Sequence, residues 1–476
     1  MTDEGRAIRA ARPILSNLGG GLALPPTAAS IESRLWKLAI AILVAGLVVL
    51  ALTRLLHPAT TSDRAPPIDT LPLSYGPKNY AAAVVLADNA VALGTERVRA
   101  RPQDWIFQES YARALMGRAR LTLSFDDLQQ ATLALAKGKA EAIAGSGPLL
   151  TDAVANFTVH RMAPIAQDLR IFDAAAVRPD KGDRAEAEAL RGDVAFYSGQ
   201  YGQAAAHYRA SAAIDDGMGL AFRIANFEYK TGHPDAARAQ FERSARMNTA
   251  RTRQFMANVW LQSGVVELSR GRWDDAEALF RKADQTFPGY WLIEAHVAQM
   301  AALRGKLDEA AQAYHTIIAR TGQPDVIDAL AVLYRVAGNG PASRAWAARS
   351  APVWDRRLGM LPEAAYAHAL EHELVLGDPA RALSLARANM AARPYGDSVT
   401  MLAWALIANG KADEAARLVE ALNKTQWRTA QQYGALSQAY AMLGDSTRSD
   451  AARDTALDIN PRAFDPNAAL IWFGNH

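Results

Sequence analysis

Apolar residues are spread along this chain in three different ways. From Leu35 to Leu56 they are nearly continuous (LWKLAIAILVAGLVVLALTRLL). From residue 57 to 79 they are sparse and interrupted by Pro58, Pro66, Pro67, Pro72 and Pro77. From about residue 80 onward they recur with the three-and-four spacing of helices that bury one face. The first pattern predicts one transmembrane helix at 35–56, because about 22 residues in a helix span roughly 33 Å against a hydrocarbon core of about 30 Å. Lys37 and Arg54 extend their charges toward the two interfaces, and Trp36 falls at the headgroup level. The apolar run lies too far from the start, behind residues 1–34, for a cleaved signal peptide, so an uncleaved anchor is expected. Arg34 and Lys37 balance Arg54 and Arg64 across it. The distal Arg6, Arg9 and Arg12 then favour a cytoplasmic N-terminal tail, with the remainder in the periplasm of a bacterial cell. The prolines of 57–79 predict an extended, semi-rigid linker.

The helical region is punctuated by glycines in phase: Gly199, Gly232, Gly271, Gly305, Gly338, Gly377, Gly410 and Gly444, at steps of 33, 39, 34, 33, 39, 33 and 34 residues. Glycine suits a helix end that adopts a left-handed conformation. Five residues after several of them comes an alanine, and four later an aromatic: Ala204 with Tyr208, Ala237 with Phe241, Ala276 with Phe280, Ala310 with Tyr314. That spacing places both on one helical face, the small residue admitting a partner helix and the ring filling the space one turn on. Pro288, Pro394 and Pro461 end the second helix of their units.

With a turn glycine, Ala-xxx-aromatic and a closing proline at a period near 34, the chain resembles the tetratricopeptide repeat (TPR) family over roughly 183–461. The segment GVVELSRGRWDDAEALFRKADQTFP supplies Gly264, Gly271, Trp273, Ala276, Phe280, Ala283 and Pro288 in register. The fifth unit departs most, with Ser343 and Ala347 in place of alanine and aromatic. The resemblance implies an all-α fold: a right-handed α-α superhelical solenoid of about eight TPR-like helix pairs. Residues 80–182 lack the signature except around Phe125 to Ala136. They read as an irregular helical cap, with one long helix from Leu149 to about Gln167. Residues 462–476 form an apolar C-terminal tail in which Ala468 to Phe473 is expected to fold over the last repeat helix.

Composition narrows the function. There are no cysteines, which excludes disulfides and thiolate chemistry. The 52 basic and 49 acidic residues are interspersed, giving a net charge of +3 and no clustered basic face for nucleic acid. No nucleotide-binding loop occurs, and Ala-Gly-Ser-Gly-Pro at 144–148 reads as a turn. His368, Glu371 and His372 fit the H-x-x-E-H spacing of a zinc hydrolase, with two ligands one helical turn apart. They lie within a repeat helix with no third ligand identifiable, so surface and groove residues are the preferred reading. No cofactor or metal is expected, and no enzymatic activity. Trp260, Trp273 and Trp346 read as core. Carrying the TPR register over places Asp193, Asn226, Val265, Gln299, Val332, Glu371, Trp404 and Gln438 on the concave groove. The carboxylate clamp of some TPR proteins is not matched, since Ala189, Phe222, Leu261 and Ala295 stand at those positions. The expected function is a membrane-anchored scaffold that binds partner proteins or peptides along the groove, in envelope assembly, secretion or polysaccharide export. A zinc hydrolase, or the same scaffold facing the cytoplasm, are the alternatives.

Overall fold

The structure, a computed structural model, describes residues 67–473 apart from Ser74, Ala144 and Ala176. The N-terminal tail, the candidate transmembrane segment 35–56 and the start of the linker lie outside the described residues. Among those described, no helix is long and apolar enough to cross a membrane.

The described residues form 21 α-helices and no sheet. Five precede the expected repeats: α1 (Tyr80–Ala100), α2 (Trp105–Thr122), α3 (Phe125–Glu141), α4 (Leu149–Thr158) and α5 (Ile165–Asp173). Eight helix pairs follow. They are α6 (Lys181–Tyr197) with α7 (Tyr201–Ile214), α8 (Met218–Lys230) with α9 (Pro234–Met247), α10 (Arg253–Ser269) with α11 (Trp273–Thr286), and α12 (Trp291–Leu303) with α13 (Leu307–Thr321). Then come α14 (Pro324–Val336) with α15 (Gly340–Met360), α16 (Pro362–Leu376) with α17 (Pro379–Ala392), α18 (Gly396–Ala408) with α19 (Ala412–Leu422), and α20 (Ala430–Met442) with α21 (Ser446–Ile459).

Within a pair, contact is set by the small-and-aromatic pattern. Ala204, Ala237, Ala276 and Ala310 are all fully buried, and Tyr208, Phe241, Phe280 and Tyr314 are buried beside them. The facing helix must carry a residue without a side chain where the ring arrives. A Cβ at Gly264 would stand 2.5 Å from Phe280 Cε1, and one at Gly192 would stand 2.5 Å from Tyr208 Cε1. Each buried ring contributes roughly 1.5–3 kcal/mol. In the fifth pair, Ser343 and Ala347 are buried and Trp354 supplies the large side chain.

The region before the repeats is more regular than its sequence suggests. The single helix expected from Leu149 to Gln167 is two, broken between Val159 and Pro164, where His160 takes the left-handed conformation at φ 60°. Leu123, between α2 and α3, is likewise left-handed at φ 49°. These residues occupy the place that glycine fills in the later pairs. Thus α2–α3 and α4–α5 are helix pairs in their own right, and α1 stands before them.

Successive turns of the array touch. The junctions entering each pair from the third onward are met by a segment about six pairs earlier in the chain. Thr252 is bridged by Tyr75. The carbonyl of Pro288 accepts the Tyr80 N–H at 3.1 Å, and Tyr290 stacks on Tyr80 at 5.5 Å. Gln323 Nε2 donates to the Thr122 carbonyl at 2.5 Å, 201 residues away. Glu363 pairs with Arg161, and the Gly396 N–H donates to the Tyr201 hydroxyl at 2.9 Å, 195 residues away. Arg428 N–H donates to the Lys230 carbonyl at 3.0 Å, and Arg462 covers the Trp273 ring at 4.3 Å. One apolar cluster accordingly joins Ile68, Ala83 and Leu121 to residues of α10 to α14 and to Leu470 and Phe473. Another joins Phe196 and Tyr201 to Val399 and Trp427.

The apolar tail does not fold over the last helix pair. Its 3-10 turn Pro466–Leu470 packs on α12 and α14 instead. The last helix, α21, buries little beyond Ala452 and Ala456 and turns a polar face outward, so it needs no apolar cover.

Candidate functional site

The first helices of the pairs carry the positions expected to line a groove, and the array uses them in different ways. Asp193 on α6 is buried and fully engaged: it accepts from the Tyr208 hydroxyl at 2.9 Å and from Arg223 Nε on α8 at 2.7 Å. Arg223 also binds Glu186 at 2.9 Å, so the carboxylates and the guanidinium fasten α6 to α8. Burial pushes the Asp193 carboxyl upward against the pull of Arg223. Val265 and Val332 are core residues. Asn226 is half-buried, and Gln438 is exposed. Trp404 is half-buried against the apolar cluster of α16 to α21.

Gln299 on α12 is fully buried, because a chain segment lies on it. Its Oε1 accepts the backbone N–H groups of Trp472 at 2.7 Å and Phe473 at 2.8 Å. The Phe473 ring is completely buried and lies 5.7 Å from the His296 ring and 6.3 Å from Tyr314. Asn467 Nδ2 reaches the Leu303 carbonyl at 3.5 Å.

The two histidines that flank Glu371 on α16 face α14. His368 Nδ1 lies 3.0 Å from Asp325 Oδ1, with its ring stacked parallel to Trp354 at 5.7 Å. His372 Nδ1 lies 2.9 Å from Asp328 Oδ1. Asp328 also accepts from Ser350 and, at 2.8 Å, from Trp354 Nε1. Burial alone would lower both imidazoles, but the facing aspartates outweigh it and hold them above their ordinary value. Burial pushes the Glu371 carboxyl up to about 7. Each imidazole thus meets its own aspartate, an interhelix fastening rather than a shared ligand set. Among the described residues, no group of three or more His, Cys, Asp or Glu is arranged to hold a metal.

A second polar belt lies where the turns meet. Lys230 Nζ is 2.9 Å from Asp397 Oδ2 and 5.6 Å from the Trp427 ring. Beside it, buried Arg393 lies 5.8 Å from the Tyr197 ring and 5.6 Å from Tyr395. His160 also leans on Tyr197, at 6.1 Å.

No family model matches the chain. No curated protein matches it either. Among solved structures, it is similar to a tetratricopeptide repeat protein from Parabacteroides merdae at 13% identity and a TM-score of 0.32, covering 54% of this chain and 99% of that one. It is similar to yeast Tom70 at 14% identity and 0.34, covering 81% and 92%. A third is a Rap protein complexed with competence and sporulation factor, at 13% identity and 0.42, covering 81% and 97%. The TPR-like character of the fold rests on the helix pairs themselves.

Repeat register predicts an inner-face position for Gln299 but does not reveal that Trp472 and Phe473 occupy it. The tail's apolarity was the available signal, and nothing in local spacing linked residue 473 to residue 299. The Lys230–Asp397 pair was equally hidden, its members standing 167 residues apart.

Proposed function

We propose that this chain is a non-catalytic, membrane-anchored scaffold that binds partner proteins or peptides along the inner face of its helix pairs. The observation that carries this reading is the use of Gln299. A polar side chain on a first helix grips two consecutive backbone N–H groups of an extended segment, with an aromatic ring as anchor beside it. Recognition of main-chain amides with pockets for side chains is how extended peptides are commonly held. The apolar run 35–56 with Lys37, Arg54 and Trp36 at its ends supports the anchor, and Arg6, Arg9 and Arg12 support a periplasmic array. The work such an array suits is envelope assembly, secretion or polysaccharide export.

A photocrosslinking side chain placed at Asn226 or Gln438 in native membranes tests the binding role. The expected result is a discrete protein adduct from these positions and none from exposed Arg209 on the second helix α7. Absence of adducts from every inner-face position would overturn the scaffold. A compartment-specific reporter fused after His476 tests the orientation, with activity expected on the periplasmic side.

A further inference from the structure

The segment 466–473 lies far from its neighbours in sequence. It leaves α21, whose outward face is polar, and crosses to α12 and α14. There it forms only a five-residue 3-10 turn, Pro466–Leu470, followed by extended residues. So short a turn has little stability of its own, and its order comes from what it touches. What it touches resembles a peptide site. Leu470 and Phe473 are buried as apolar anchors three residues apart, and Gln299 Oε1 reads the two amides at Trp472 and Phe473. Gln299 Nε2 is also buried and makes no hydrogen bond among the described residues, so the site has a donor that this occupant leaves unused. A buried amide donor left unpaired is destabilising, a deficit that a peptide carbonyl at that point would remove.

We propose that residues 466–473 are a resident ligand of the inner face at the fourth and fifth pairs. They are displaced by an extended partner peptide that carries an aliphatic residue, an aromatic ring three places later, and a carbonyl placed to accept from Gln299 Nε2. This inference rests on the peptide-binding reading above and adds to it the site, the chemistry of the occupant and its self-competition. While the tail is seated, the apparent affinity for a partner is reduced by the fraction of molecules whose site is closed.

The test uses the full chain and a labelled synthetic peptide of residues 465–473. In a Leu470→Ala, Phe473→Ala variant with wild-type helical circular dichroism, the peptide should bind roughly tenfold or more tightly than to wild type. Adding Gln299→Ala should remove that gain. Equal binding by wild type and variant would overturn the proposal, as would a wild-type dimer formed by exchange of tails. Should the variant fail to fold, hydrogen exchange in the wild-type chain decides. Amides of Trp472 and Phe473 that exchange well ahead of α12 support a displaceable ligand, whereas exchange only on global unfolding makes the segment fixed core and overturns it. A partner adduct at Asn226 together with no peptide competition would defeat this inference and leave the scaffold standing.

Discussion

Gly199 and Pro394 meet across two turns of the array. The glycine, at φ 72°, forms the turn between the two helices of the first pair, and a Cβ there would stand 2.7 Å from the Pro394 carbonyl oxygen. The same relationship joins Gly232 to Arg428, where a Cβ would lie 2.9 Å from the arginine Cβ. The turn glycines Gly305, Gly338, Gly410 and Gly444 share the left-handed backbone, but a Cβ at any of them would meet nothing within 4 Å. Glycine is thus required twice in the early pairs, for conformation and for space, and once in the later ones.

Replacing each class by alanine separates the two requirements. Gly305→Ala should cost about 1 kcal/mol, the price of a side chain in the left-handed region. Gly199→Ala should cost about 1–3 kcal/mol more, as expected of overpacking against backbone. Urea unfolding of the two variants measures the difference, and equal losses would mean that the turns do not touch at Pro394.

The Lys230–Asp397 pair makes a second prediction. Lys230 is buried, and its ammonium has few partners besides this carboxylate and the Tyr229 and Trp427 rings. Lys230→Met leaves Asp397 without its counter-charge and should cost about 3 kcal/mol. Lys230→Met with Asp397→Leu should recover part of that loss. A double variant no more stable than the single one would show that the pair is not the determinant.

Stability should depend on pH through α16. Glu371 is protonated more readily in the folded chain, at about 7, than its ordinary carboxyl value. Its contribution is therefore fully present below the unfolded value and is lost as pH rises through about 7. His368 and His372, raised by Asp325 and Asp328, have the same sign and lose their contribution as pH rises through their folded values. His160 opposes them. Burial, with Arg393 and His368 adding to it, lowers its imidazole, so its contribution is present above its ordinary value and lost as pH falls below it. Glu371→Gln should match wild type near pH 5 and exceed it by roughly 1–2 kcal/mol near pH 8. Urea midpoints across that range check it, and a variant less stable at pH 8 contradicts it.

Zinc provides a direct check on the H-x-x-E-H spacing. Because each imidazole Nδ1 is engaged by a separate aspartate, metal analysis of purified protein should find no zinc that depends on His368. Stoichiometric zinc lost in His368→Ala would restore the hydrolase reading.

How much of this was legible depended on whether the signal was local. The eight later pairs announce themselves because one backbone demand, a left-handed turn residue, is met in phase by a glycine in seven of them, Gly377 at φ −117° being the exception, and in the first four an alanine followed by an aromatic keeps step with it. The pairs α2–α3 and α4–α5 meet the same backbone demand with Leu123 and His160, and so leave no glycine to count. The break at His160 leaves the same gap in the local signal, so the pattern from Leu149 to Gln167 predicts one helix although Pro164 marks the break. Asp193 and Gln299 were placed on the inner face by register, yet register does not reveal that Arg223 neutralises the first or that the tail covers the second. Contacts between turns join residues about two hundred positions apart, and the tail's seat follows from that winding, which no periodicity in the chain encodes.

The contact between successive turns is tested most directly by cysteine crosslinking, since the chain has no cysteine of its own. Arg161 and Glu363 face each other across the turns with Nε and Oε1 3.9 Å apart, while Glu188 and His207 face each other within one pair at 2.7 Å. With Arg161→Cys and Glu363→Cys, a short bismaleimide should crosslink the full chain as efficiently as it does the Glu188→Cys, His207→Cys control. Efficient crosslinking of the control with none between 161 and 363 would mean an open array whose turns stand apart, and would contradict the account.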